Sequence, residues 1–129
     1  MAALVTGASG FVGGRLMAAL GREEDVRALL RRPGAMPSAA VGDLLDPASL
    51  RAACEGIESV FHCAGYAHVF SSSDPDIHWR INYEGTRNLL VAAGEAGVRR
   101  FVFLSSVKAM AEPGDACVDE DWPDRKSVV

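Results

Sequence analysis

The chain has 129 residues and a mass of 13.7 kDa, enough for one domain with a real core. Hydrophobic residues make up 49% and charged residues 23%, which excludes a disordered or fibrous chain and suits a soluble globular one. The net charge of −4 excludes the basic field that nucleic acid or an acidic membrane surface would require. The acidic excess gathers in 112–124, read as a solvated loop. The N-terminus lacks the charged leader and long apolar core of a signal peptide, and no stretch is long enough for a membrane span. Cys54, Cys63 and Cys117 are odd in number and unpatterned, which fits reduced thiols in a cytoplasm. No internal repeat or low-complexity segment is present.

The first 21 residues, MAALVTGASGFVGGRLMAALG, organise the rest of the chain. Ala2, Ala3, Leu4, Val5 and Thr6 read as a short buried strand. Gly7, Gly10 and Gly13 then recur every third residue, and Phe11, Val12, Leu16, Met17 and Leu20 recur at helical spacing up to a stop at Gly21. Strand, glycine turn and helix in this order form a phosphate-binding opening. Glycine allows the turn, clears side chains from the path of a pyrophosphate, and lets helix and strand approach. The helix N-terminus supplies free N–H groups and the positive end of its dipole. The spacing Thr6-Gly7-x-x-Gly10-x-x-Gly13 resembles that of the short-chain dehydrogenase/reductase superfamily, and Gly10-Phe11-Val12-Gly13 is similar to its extended, epimerase/dehydratase branch. The resemblance implies a dinucleotide cofactor bound by Gly7, Gly10, Phe11, Val12 and Gly13.

Val26–Leu30 reads as the second strand and ends in Arg31-Arg32-Pro33-Gly34. In a dinucleotide fold this strand end lies beside the adenosine ribose, where an NAD site places an acid for the 2′-OH. Two arginines stand here instead, and a guanidinium pairs well with a 2′-phosphate, so NADP is favoured over NAD. The alternative is a pair of solvated strand-end charges. Arg15 is a weaker phosphate candidate. After a small-residue loop, Ala39–Val41 suggests a short third strand ending in Gly42-Asp43-Leu44. The family resemblance gives Asp43 and Leu44 a contact with the adenine; a turn Asp satisfied by local backbone is the competing reading. Asp46 and Pro47 read as N-cap and first helical position of a helix that runs to about Glu55 and stops at Gly56.

Ser59–Cys63 reads as the fourth strand, followed by Ala64 and Gly65, a small-residue break that lets a cofactor pass close to the backbone. His62, Cys63, His68 and His78 have the wrong spacing for zinc, so His62 is read as a packed strand histidine and no metal is expected. Ser71–Asp74 reads as a polar loop. Asp74 and Pro75 read as another N-cap and first turn, opening a long helix from about Asp76 to Ala96 with Ile77, Ile81, Leu89, Leu90 and Ala93 on one face and Gly97 as its stop. Its Asn82-x-x-Gly85-Thr86 closely resembles a helix motif of the same family. That resemblance implies that Asn82 holds the neighbouring strand and an active-site water through its amide.

Arg100–Leu104 reads as the fifth strand and leads into Ser105-Ser106-Val107-Lys108. RFVFLSSVK is similar to the nucleotide-sugar epimerase/dehydratase group, which implies that Leu104 lies at the cofactor and that Ser106 is the catalytic serine. Strand-end hydroxyls that cap backbone groups are the alternative for Ser105 and Ser106. Lys108 reads as a loop charge. The family's Tyr-x-x-x-Lys pair has no counterpart: Tyr66 and Tyr83 both precede Ser106 and neither is followed four positions later by lysine.

Together these readings predict an α/β Rossmann-like doubly wound parallel sheet of about five strands in the order 3-2-1-4-5, incomplete relative to the family. Residues 1–123 form the dinucleotide-binding domain and 124–129 an atypical tail. The function implied is the NAD(P)-binding portion of a nucleotide-sugar oxidoreductase, inactive alone, with a sugar or nucleotide-sugar substrate in a longer form and a possible homodimer. A non-catalytic dinucleotide-binding redox sensor or partner-binding module is the alternative from another class. The fifth strand would be an exposed edge, so marginal solubility and self-association are expected.

Overall fold

The computed structural model describes residues 2–34, 36, 38–66 and 73–124. Five strands form one parallel sheet: β1 (Ala2–Thr6), β2 (Asp25–Leu30), β3 (Ala40–Val41), β4 (Ser59–His62) and β5 (Arg100–Phe103). Their spatial order is β3-β2-β1-β4-β5, the order expected from the sequence. β1 is central and buried along its whole length, which is why it reads as an unbroken apolar run rather than an alternating one. β1 pairs with β2 from Ala2↔Asp25 to Val5↔Ala28 on one side, and with β4 from Ala3↔Ser59 to Thr6↔His62 on the other. All strands being parallel, their carboxyl ends share one edge of the sheet.

Helices cover both faces, as a parallel sheet requires. On one face, α1 (Phe11–Leu20) sets Leu16, Met17 and Leu20 against Val5 and Ala28. On the other, α2 (Pro47–Ala53) and α4 (Thr86–Glu95) bring Leu50, Ala53, Leu89, Ala92 and Ala93 against Leu4, Leu29 and Val60. The period-2 alternation of strand side chains decides the allocation: Leu4 and Val60 face α4, while Val5 and Phe61 face α1.

Several details differ from the sequence expectation. Phe11 and Val12 belong to the helical repeat of α1 but are 76% and 49% exposed. The single helix expected from 76 to 96 is three consecutive segments: α3 (Ile77–Trp79), a π-helical turn (Arg80–Gly85) and α4. A π turn inserts one residue and rotates the helix face beyond it. Within α4, Leu89, Ala92 and Ala93 enter the core, whereas Leu90, expected on the same face, lies about 100° round the helix from Leu89 and is 52% exposed. Asp46 does stand at the N-cap of α2 with Pro47 behind it, but its side chain makes no cap bond; Ser49 Oγ donates to its carbonyl instead, at 2.8 Å. The N-cap of α3 is Asp76 rather than Asp74. Asp74 acts one step earlier, accepting from the Asp76 N–H (2.9 Å) and from Arg80 (2.6 Å), and these two bonds hold its carboxyl below the usual range. Gly21 caps α1 in right-handed backbone, while the stops at Gly56 and Gly97 are left-handed.

After β5, a 3₁₀ turn (Val107–Ala109) leads into an irregular, mostly exposed segment. It is not a free loop. Met110 bridges Asp124, the Ala111 N–H donates to the Pro123 carbonyl (2.9 Å), and Trp122 Nε1 donates to the Ala111 carbonyl (2.8 Å). Asp124, assigned by sequence to the tail, thus pairs with the segment before it; 125–129 lie outside the described residues, as do His68, Ser71 and Ser72. β5 is an edge strand among the described residues, and Phe103, Leu104 and Val107 are exposed beside it.

Two glycines separate close approach from open space. A Cβ on Gly13 would lie 2.1 Å from the Gly7 carbonyl oxygen, whereas one on Gly94 in α4 would meet nothing within 4 Å. Gly13→Ala should therefore destabilise the protein by about 3 kcal/mol, through backbone overlap. Gly94→Ala should stabilise it by about 0.5–1 kcal/mol, through helix propensity. Urea unfolding midpoints of the two variants check both; equal effects would contradict this packing.

Candidate functional site

The sheet changes direction between β1 and β4: the chain builds outward to β2 and β3, then returns to add β4 and β5 on the other side. In open parallel sheets, ligands bind at such a switch point, beyond the strand carboxyl ends. Two loops meet there, Gly7–Gly10 after β1 and Cys63–Tyr66 after β4. Gly7 is the point of contact. Its φ is +69°, and a Cβ would fall 2.7 Å from the Ala64 nitrogen and 2.8 Å from the Cys63 carbonyl carbon. Only glycine fits, on both counts.

Above this contact α1 begins. Gly10 takes the N-cap position in extended backbone, its N–H donating to the Gly7 carbonyl at 2.9 Å. No side chain caps the helix and no acid lies in its first turn. The N-terminal N–H groups are thus left to whatever binds there, and the dipole favours an anion. Phe11 is exposed at the rim with the Arg15 guanidinium 4.5 Å from its ring centroid. Gly7, Gly10 and Gly13 thus pack the turn against the start of α1, with Phe11 and Val12 exposed there.

The β4 loop is held from beneath. Asn82, in the π turn, grips Tyr66 like a paired strand: Oδ1 accepts from the Tyr66 N–H (2.7 Å) and Nδ2 donates to the Tyr66 carbonyl (3.0 Å). His78 Nδ1 also bonds that carbonyl (3.1 Å), and its ring stands edge-on to Tyr66. Gly65 is exposed next to this clamp, with room for a Cβ only 3.5 Å from Asn82 Oδ1. Ala64 donates its N–H to Thr6 Oγ1 at 3.1 Å.

His62 lies under both loops. It is fully buried, with Nδ1 2.6 Å from Thr6 Oγ1 and Nε2 2.8 Å from Thr86 Oγ1. Phe101 and Phe103 pack against its ring. Burial pushes its pKa from 6.5 down to about 4, so the imidazole is neutral at physiological pH. Burial likewise pushes the Cys54 and Cys63 thiols up. Among the described residues no group of His, Cys, Asp and Glu is placed to hold a metal ion.

The remaining candidates spread along the same edge. Arg31 and Arg32 follow β2 and are exposed. Asp43 is exposed after β3, and its Oδ1 accepts from the Leu45 N–H at 2.9 Å, the local turn bond of the competing reading for this residue. Leu44 is buried in the core, packed under Gly85, and its carbonyl accepts from Asn88 Nδ2 at 2.9 Å. Leu104 follows β5 and donates its N–H to the His62 carbonyl at 3.2 Å. Ser106 is exposed; its Oγ accepts from the Lys108 N–H at 3.2 Å, which caps the 3₁₀ turn. Sequence reasoning passes over Thr6, Thr86 and Asn88. The threonines read as ordinary strand and motif residues, and only their distances to His62 mark them out.

Residues 3–127 match the NAD dependent epimerase/dehydratase family. The chain belongs to that family. Among curated relatives of the epimerase/dehydratase chain is sterol demethylase protein B of Methylococcus capsulatus, 38% identical over 130 residues, covering 95% of this chain and 39% of the relative. Among solved structures, a short-chain dehydrogenase/reductase superfamily protein from Agrobacterium tumefaciens with bound NAD superposes with a TM-score of 0.83 and 38% identity. That match covers 97% of this chain and 39% of the other. UDP-glucose 4-epimerase from Brucella ovis in complex with NAD gives 0.81 and 27% identity over 96% of this chain and 41% of the other. The chain thus spans about two fifths of the length of these family members. Among the described residues no helix is long and apolar enough to cross a membrane.

Because His62 is buried neutral, the unfolded chain binds a proton more readily than the folded one between pH 6.5 and 4. Its contribution is complete above pH 6.5 and is lost as pH falls through 4, a loss of about 3 kcal/mol. Urea unfolding at pH 7 and pH 4 should show this loss, and His62→Gln should flatten the profile. An unchanged profile in that variant would place the acid sensitivity elsewhere.

Proposed function

We propose that these residues bind a nicotinamide dinucleotide and form the cofactor-binding portion of an epimerase/dehydratase-type oxidoreductase. The observation that carries the reading is the Gly7–Ala64 contact beneath an uncapped helix N-terminus at the strand switch point. The bound NAD in the two structural relatives supports it. The pyrophosphate lies over Gly7–Gly13, with the N–H groups at the start of α1 as donors and Phe11 and Val12 at its border. Ala64 and Gly65 leave room for the cofactor backbone on the β4 side. Asp43 and Leu44 border the adenine and Leu104 the opposite end. When bound, the nicotinamide accepts or donates a hydride.

Arg31 and Arg32 favour NADP in this reading, through guanidinium bonds to the 2′-phosphate at the end of β2. Ser106 is the hydroxyl that orients the substrate oxygen. The acid–base tyrosine and its lysine have no counterpart among these 129 residues, so the stretch holds cofactor without supplying that proton transfer. The substrate of the whole protein is a nucleotide-linked sugar, as the Brucella ovis epimerase's name supports. A sterol alcohol is the second reading, favoured by the higher identity to the Methylococcus relative. Function in a cytoplasm, as one of two copies, completes the proposal.

Fluorescence titration of the protein with NADH and NADPH tests it. NADPH should bind more tightly. Arg31→Ala with Arg32→Ala should weaken NADPH about 10- to 100-fold and leave NADH unchanged. Equal losses for both cofactors would remove the 2′-phosphate assignment, and no binding of either would remove the proposed function.

A further inference from the structure

The hydrogen bonds around His62 admit one consistent assignment. Thr86 Oγ1 donates to the Asn82 carbonyl at 2.7 Å, so its hydroxyl proton is spent and it receives a proton from His62 Nε2, at 2.8 Å. Nε2 thus carries the hydrogen and Nδ1 is an acceptor. On the other side Thr6 Oγ1 accepts from the Ala64 N–H at 3.1 Å and donates to Nδ1 at 2.6 Å. The opposite tautomer would give Thr6 Oγ1 two incoming N–H donors and no acceptor within this set, and would strip the Asn82 carbonyl of the Thr86 hydroxyl. A directional chain therefore runs from the Ala64 N–H through Thr6, His62 and Thr86 to the Asn82 carbonyl.

Its two ends are the parts of the site that have to keep their spacing. Ala64 touches Gly7, the pivot of the phosphate turn, and the Asn82 side chain clamps Tyr66 at the end of the same loop. Thr6 directly precedes Gly7 in the chain, and Thr86 directly follows the π turn that carries Asn82. We propose that Thr6, His62 and Thr86 act as one positioning relay that sets the distance between the phosphate turn and the β4 loop, and so tunes dinucleotide affinity without touching the cofactor. The relay rests on the proposed binding of a dinucleotide in this crevice. The three side chains lie beneath the loops: Thr6 and His62 are buried and Thr86 half-buried, so they act through Gly7, Ala64 and Asn82.

The relay makes a claim about coupling that simple core packing does not. Thr6→Val and Thr86→Val keep shape and lose a hydroxyl. Each should weaken NADPH about tenfold, the double variant should lose little more than either single one, and Thr86→Ser should restore affinity. Imidazole nitrogen chemical shifts in the unmodified protein should report His62 with hydrogen on Nε2, a readout independent of how the variants fold. Unchanged affinity in folded Thr86→Val, additive losses in the double variant, failure of Thr86→Ser to recover, or hydrogen on Nδ1 would each overturn the relay. Failure of the unmodified protein to bind any dinucleotide would instead overturn the cofactor reading, and the nitrogen shifts would still judge the hydrogen-bond chain.

Discussion

The site depends on one close approach. Gly7 presses its backbone against Ala64 and Cys63, and Gly13 brings α1 down onto the Gly7 carbonyl. The first contact joins the first strand–helix unit to the fourth strand, and the second seats α1 on its own turn. They also leave the start of α1 open above the gap, with no side chain in the way. A side chain at Gly7 would push this turn off the β4 loop at the point where the strand order reverses, and one at Gly13 would lift α1 off the turn. The parallel topology does the rest, bringing the ends of β2, β3 and β5 to the same edge.

Beneath that contact the polar interior is economical. Among the described residues no buried side-chain nitrogen or oxygen lacks a hydrogen-bond partner. His62 is the demanding case, since an imidazole in an apolar layer is tolerable only when neutral and bonded at both nitrogens. Thr6 and Thr86 meet that need, and the aromatic rings of β5 close the layer on the far side. The strand histidine thus joins three elements: the end of β1, the end of β4 and the start of α4.

Much of this architecture is legible in the sequence. The buried run 2–6, the glycine spacing and the small-residue break at Ala64 each have a local physical cause, so strand order and the place of the crevice come from them. Three kinds of feature do not. The π turn at 80–85 stands where Gly85 packs against Leu44 and Asn82 reaches back to Tyr66, tertiary contacts that helical periodicity cannot carry. The roles of Thr6 and Thr86 depend on partners 56 and 24 residues away through His62. Asp43 and Ser106 show a third limit, for each side chain makes a short-range backbone bond that either reading of its role would allow.

The central claim is that the crevice between β1 and β4 holds a nicotinamide dinucleotide. Amide chemical-shift mapping during titration with NADPH tests it most directly. The account predicts perturbations concentrated at Gly7–Gly13 and Cys63–Tyr66, extending to Arg31 and Arg32. Shifts centred instead on the open groove between α2 and α4, lined by Arg51, Arg87 and Glu95, would contradict it, as would a spectrum that NADPH leaves unchanged.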